Sequence, residues 1–227
     1  MSGIGQAIGD MLPAAVGVAI SPIPIIAVVL MLVSPRGRLN GPAYLVGQLV
    51  GVATAGAMVL LLAGSVGSTD GSEPAGWTNW LKLILGLGLL ILAVKQWRGR
   101  PQGDEPATPR WMDAIDGFTP AKAVGAGFVL SALNPKNLIL TVAAMAAVVS
   151  VSLPADEQAL ALVVFVAIGS LGVAIPVMIF FALGDRSGPL LARLESWMAR
   201  NNAVIMAVLS LVIGAKLIGD AIAGFSS

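Results

Sequence analysis

Six long apolar runs, at about residues 11–33, 43–66, 78–97, 123–150, 159–183 and 203–223, fill most of this 227-residue chain. Each reaches the length of about 20 residues that an α-helix needs to cross the hydrocarbon core of a bilayer. The breaks between them are short and polar: SPRGRLNGP, GSTDGSEPAG, the longer RGRPQGDEPATPRWMDAIDGFTPAK, SLPADEQ and GDRSGP. Pro and Gly cluster there, as they do where helices end. No run alternates with the two-residue period of barrel strands. The chain is therefore expected to be an all-α integral membrane protein of six transmembrane helices, with residues 1–227 forming a single transmembrane domain. Only 11% of its residues are charged, where a soluble domain carries about a quarter. Residues 1–10 hold no Lys or Arg, so the first run lacks the basic flank of a signal peptide and is expected to be the first span.

The placement of the basic residues predicts an orientation. The breaks after the first, third and fifth runs hold Arg36 and Arg38; Arg98, Arg100, Arg110 and Lys122; and Arg186, Arg193 and Arg200. The N-terminal segment, the breaks after the second and fourth runs, and the C-terminal tail hold none. The positive-inside rule then puts both termini outside the cytoplasmic membrane and the loop at residues 98–122 in the cytoplasm. Two inner segments have an apolar helical face. One, within PLLARLESWMAR, presents Leu190, Leu191, Leu194, Trp197 and Met198; the other, at residues 110–118, presents Trp111, Met112, Ile115 and Phe118. Both are expected to lie in the headgroup layer.

The chain has no His and no Cys. Imidazole acid–base catalysis, thiolate chemistry, disulfides and the usual zinc sites are excluded on that ground. The expectation is a non-enzymatic protein with no metal, no cofactor and no nucleic-acid partner.

A shift of 113 residues brings two unusual segments into register: AISPIPIIAVVLMLVS in the first run and ALNPKNLILTVAAMAA in the fourth. Ser21-Pro22 aligns with Asn134-Pro135, and Ile23 and Pro24 with Lys136 and Asn137. Three runs per half is an odd number, so the second half enters the membrane from the opposite side. The plan expected is two inverted three-helix repeats, about 1–100 and about 120–227, as in many secondary transporters. Pro22 stands at the middle of its run. Pro135 stands thirteen residues after Lys122, roughly 20 Å along a helix. Proline removes a backbone donor and clashes with the preceding turn, so the first and fourth spans should be broken there. Ser21 and Asn134 are favoured N-caps and proline is favoured at the first helical position, so a new helix should start at each break. Two such N-termini with Lys136 beside one of them predict an anion site at the repeat interface.

Other polar residues in the apolar runs are secondary candidates. Gln48 and Ser170 either face the same cavity or bond to a neighbouring helix. Lys216 and Asp220, at i, i+4 spacing, are expected to pair with each other. Lys82 and Lys95, near span ends, are expected to snorkel. Gly47, Gly51 and Ala55 form a ridge of small residues for close helix packing within the molecule, a homodimer face being the alternative.

The SPIP and LNPKN segments resemble the paired proline motifs of the LysE-type transporter superfamily, in which a PGP-like segment is matched by an NPK segment after the central loop. Ser21, Pro22 and Pro24 stand in the first motif and Asn134, Pro135, Lys136 and Asn137 in the second. Ile23 replaces the glycine between the prolines, and the lack of Cys sets the chain apart from thiol-relay members. The opening GDMLPAAVGVAISPIPIIAVVLMLVSPRGR is most similar to the branch called GAP or sulfolipid-addressing proteins. These are actinobacterial membrane proteins linked to delivering glycolipids to the cell surface. The resemblance implies export or flipping of a lipid-linked substrate, with membrane lipids, a glycolipid and glycolipid-export machinery as partners. The alternatives are a LysE-type exporter of a small amino acid or ion, and a non-transporting accessory subunit of glycolipid export.

Overall fold

A computed structural model describes residues 3–67, 75–99 and 117–225. Nine α-helices and no strand occur among them: α1 (Gly3–Ala19), α2 (Pro22–Val33), α3 (Gly37–Gly67), α4 (Ala75–Arg98), α5 (Pro120–Ala132), α6 (Pro135–Val149), α7 (Ala155–Gly169), α8 (Leu171–Leu183) and α9 (Gly188–Phe225). Three stretches are long and apolar enough to cross a membrane unaided: Gly37–Leu62, Asn79–Arg98 and Gly188–Phe225. The other helices form three bent pairs, α1 with α2 (48°), α5 with α6 (62°) and α7 with α8 (54°), and the total is six spans if each pair is one.

Breaks at the first and fourth spans follow the paired prolines. Ser21 (φ −67°, ψ 113°) and Asn134 (φ −69°, ψ 118°) have nearly the same extended backbone. The clash between a proline ring and the residue before it drives both out of the helical region. The break in the fifth span was not expected from the sequence. It falls at Gly169-Ser170, a Gly/Ser pair of the kind that kinks helices, ahead of Pro176 inside α8. A Cβ on Gly172 would collide with the carbonyl oxygen of Ala19, so the bend lets the start of α8 lie directly on the end of α1.

Two further expectations are corrected. The segment PLLARLESWMAR is not a separate interfacial helix. It is the first third of α9, which runs unbroken for 38 residues, or about 57 Å. Nothing between Arg200 and Val204 stops a helix, and Leu191 and Met198 are buried in a core they share with α2. The first span also begins earlier than hydropathy alone implies, since α1 starts at Gly3. The amphipathic stretch at residues 110–118 lies outside the described residues except at its end, where Phe118 packs on the same core.

Glycines set the crossing of α3 and α5. A Cβ on Gly47 would collide with Val124 O, one on Gly51 with Ser131 Oγ, and one on Gly127 with Tyr44 O. Ala55 is buried on the same helix. The ridge of small residues therefore serves contact within the chain. Elsewhere α4 packs along α9, α1 against α6 and α7, and α2 against α3, α8 and α9.

The buried apolar residues form two cores. One holds Met11 and Val18 of α1, Val52, Leu89, Leu140, Met145, Phe165, Ile213 and Leu217. The other holds Ile25 to Val29 of α2, Tyr44, Ala123, Val173, Val177, Leu191 and Met198. With each bent pair counted as one span, the chain passes from one core to the other along five of six, and at each passage stands a buried polar residue. These are Ser21 in the first, Gln48 in the second, Ser131, Lys136 and Asn137 in the fourth, Ser170 in the fifth and Ser210 in the last. A polar layer thus divides the apolar interior at the level of the helix breaks.

Candidate functional site

Lys136 is the only charged side chain buried among the described residues, with 3% of its surface exposed. Its ammonium donates to Gly17 O at 2.7 Å and to Ser21 Oγ at 2.8 Å. Ser21 Oγ in turn donates to Asn137 Oδ1 at 2.8 Å. The acceptor on α1 follows from helix chemistry. The last four carbonyls of a helix have no partner inside it. At the end of α1, Val16 O and Val18 O accept from Ile20 and Ser21, which leaves Gly17 O for the lysine. A cation at the start of α6 opposes that helix's own dipole, and the negative end of α1 compensates for it. The two breaks, 113 residues apart in sequence, are thus joined by one chain of charge-assisted hydrogen bonds.

The half-helix N-termini themselves are poorer donors than the motifs alone imply. Pro22 and Pro24 both lack an N–H, so two of the first three residues of α2 donate nothing. Ser21 makes no side-chain cap; its hydroxyl is engaged by Lys136 and Asn137 instead. In α6, Pro135 has no N–H and the Lys136 N–H is bonded to Asn134 Oδ1 at 3.1 Å. Among the first three residues of each half-helix, only Ile23 and Asn137 retain an uncommitted N–H. The positive character of the region is therefore centred on the Lys136 side chain, which has a third proton not engaged by these bonds.

A cavity of about 380 Å³ adjoins this lysine. Asn134, Pro135 and Lys136 form part of its wall. Ser21, Pro22, Pro24, Asn137, Gln48 and Ser170 are not in it. They lie buried in the polar layer or, for the two prolines, in the packed start of α2. Gln48 Oε1, Asn137 Nδ2 and Ser170 Oγ are buried with no hydrogen-bond partner. A buried polar atom left unpaired costs about 1–3 kcal/mol, so these three leave the layer with spare donor and acceptor capacity. Ile23, Leu92, Gln96, Met206 and Ser210 also line the cavity. Ser210 had a sequence signal, a lone hydroxyl in an apolar run. Gln96 had none, because it sits beside Lys95 at a charged span end. Val129 and Leu133, two more wall residues, are 48% and 62% exposed, so the cavity reaches the outer, apolar surface of the bundle.

No group of three or more acidic residues able to hold a metal occurs among the described residues.

Bent helices, an apolar exterior and a buried polar layer crossed by one lysine define an integral membrane protein with a polar centre. Residues 11–223 match the family described as Sap, sulfolipid-1-addressing protein, and the chain belongs to that family. No curated protein and no solved structure matches it.

Proposed function

We propose that this protein moves an acidic, lipid-linked headgroup across the cytoplasmic membrane, and that Lys136 is the cation it meets at mid-depth. The observation that carries this reading is the cavity beside Lys136, whose wall includes the exposed apolar side chains of Val129 and Leu133. A lipid needs a path for its headgroup that is open sideways, so that its chains stay in the bilayer. A water-soluble solute needs no such opening. The family's description names a sulfolipid, and a sulfate ester is an anion of the kind a buried ammonium complements. Two of the lysine's protons are held by Gly17 O and Ser21 Oγ. An arriving anion takes the third and then competes for the others, loosening the contact between α1 and α6.

We further propose that spans one to three and four to six are inverted repeats that rock about this point. The matching backbone at Ser21 and Asn134 supports it. So does the packing: α3 on α5 is answered by α1 on α7, and α4 on α9 answers itself. The exchange is imperfect, since the fifth span is broken and the second is not. The paired proline motifs ally this arrangement with the LysE-type superfamily.

In proteoliposomes, wild-type protein is expected to move a fluorescent acidic glycolipid or phospholipid between leaflets and to leave a labelled amino acid in place. Amino-acid efflux without lipid movement overturns the proposal in favour of a LysE-type solute exporter. Movement of neither leaves an accessory role in glycolipid export. Orientation is tested separately in this Cys-free chain. With both termini outside, Ser72→Cys reacts with an impermeant maleimide in intact cells and Gly103→Cys reacts only after permeabilisation. The reverse pattern inverts the topology.

A further inference from the structure

Asn40, Tyr44 and Gln48 stand at i, i+4 and i+8 on α3, so one face of that helix carries three polar side chains in a row. They are 0%, 0% and 1% exposed. Asn40 Oδ1, the Tyr44 hydroxyl and Gln48 Oε1 are all buried without a hydrogen-bond partner. The row starts in the first turn of α3, where the Asn40 N–H donates to Arg36 O at 2.9 Å and Arg36 and Arg38 are exposed. It runs into the polar layer, where Asn137 Nδ2 and Ser170 Oγ are also unpaired. Five of the six unpaired buried atoms among the described residues thus belong to this row or to the layer it reaches.

The spacing and the chemistry of the row both suit water. Successive members are one turn apart, roughly 6 Å along the axis, about twice the length of one O–H···O bond. A single water molecule therefore links each to the next. Two of the three groups only accept at the unpaired atom and the third, a hydroxyl, does either, which complements a molecule that donates twice and accepts twice. In this structure no solvent reaches them, so the row is hydrated only in another arrangement of the helices.

What covers the row is α2. Tyr44 shares a core with Ile25 to Val29, Met31 and Leu32 of that helix, and a Cβ on Gly41 would collide with the Leu32 side chain. These are contacts between side chains and can separate. On the other side α3 and α5 meet backbone against backbone at Gly47 and Gly127, a contact that parts less readily. α2 is short, from Pro22 to Val33, and lies between Ser21 and Ser34, both in extended conformation. Pro22 and Pro24 donate no N–H, and among the described residues no hydrogen bond ties α2 to another helix.

We infer that the Asn40–Tyr44–Gln48 face of α3 is a water path closed by α2, and that α2 moves on hinges at Ser21 and Ser34 to admit water from the basic end of the bundle to the polar layer. That end is cytoplasmic in the orientation proposed above. The inference goes beyond the lipid-moving reading and stands without it, since it requires only that water reach Gln48 and its neighbours in the layer.

The chain's one tyrosine is the reporter. In hydroxyl-radical footprinting of the full chain in proteoliposomes, corrected for intrinsic ring reactivity, Tyr44 should be oxidised faster than Phe165. Both rings are 0% exposed in the closed form, but Phe165 is packed among apolar side chains in the other core. A disulfide between Leu32→Cys and Gly41→Cys fastens α2 over the mouth of the row. Tyr44 oxidation should then fall to the level of Phe165 and return on reduction. Tyr44→Phe removes an unpaired hydroxyl, so its melting temperature should equal or exceed that of the wild type. Equal protection of Tyr44 and Phe165 in the wild type would overturn the proposal. Oxidation of Tyr44 that the cross-link leaves unchanged would do so too, because water would then arrive by a route that α2 does not close. Cysteines at 32 and 41 that fail to cross-link would mean that α2 does not cover α3 there, and the gate is lost. A lowered melting temperature in Tyr44→Phe would show the hydroxyl bonded in the closed form, against the premise. None of these readouts measures lipid movement, so this inference and the translocation proposal fail separately.

Discussion

Lys136→Met is expected to lower the movement of acidic lipid by roughly ten- to a hundredfold, the equivalent of about 1.5–3 kcal/mol for a hydrogen bond to a charged group. Methionine keeps nearly the length of the chain and removes the ammonium. The folded protein should survive the change. Losing the bonds to Gly17 O and Ser21 Oγ is offset by relief of the desolvation of a buried charge, which in such sites often matches or exceeds the attraction. Ser21 keeps its bond to Asn137, so the two breaks remain tied. A melting temperature close to wild type together with lost translocation is the expected pair of results. Lys95→Met, in the last turn of α4, should change translocation little. Wild-type lipid movement by the Lys136→Met protein would place the site elsewhere.

Gly127→Ala is expected to cause the largest loss of stability of any single-methyl addition on α5. Its new Cβ would overlap the carbonyl oxygen of Tyr44 and come within 2.9 Å of the Gln48 backbone nitrogen. Both are backbone atoms of a packed helix and have no rotamer to turn away. Either α3 and α5 move apart or the protein unfolds more readily, at a cost of about 1–3 kcal/mol or more. Gly125→Ala is the internal control, two residues away on the same helix. Nothing lies within 4 Å of its added Cβ, and alanine is the better helix former by about 1 kcal/mol. Thermal unfolding in detergent should therefore move in opposite directions for the two variants. Equal shifts would mean that the α3–α5 contact is not as close as described.

The α3–α5 crossing also bears on the polar layer, because Gln48 lies between Gly47 and Gly51 on the helix that the glycines bring close. Its buried Oε1 has no partner. The same close approach brings Gly127 against the Gln48 backbone nitrogen.

Much of the architecture was written in the chain. Apolar runs of bilayer length can be satisfied only by helices, because backbone polar groups in hydrocarbon must bond within their own segment. The breaks at Ser21-Pro22 and Asn134-Pro135 were equally legible, since proline restricts itself and the residue before it whatever surrounds them. Lys136 stood out because an ionisable group at that depth is costly. The pairing of Lys216 with Asp220 was legible from its i, i+4 spacing alone. Other features depended on contacts between segments far apart in the chain. The bend at Ser170 needed the carbonyl of Ala19 beneath Gly172. The first turns of α9 stayed in line with the last span because Leu191 and Met198 found a core to enter. That Lys136 would spend its protons on Gly17 and Ser21, and that Gln96 and Ser210 would share its cavity, followed from how the helices pack. Local sequence sets where a helix starts, bends and stops. Which side chain faces which is decided by the packing of whole helices, and only the tertiary structure contains it.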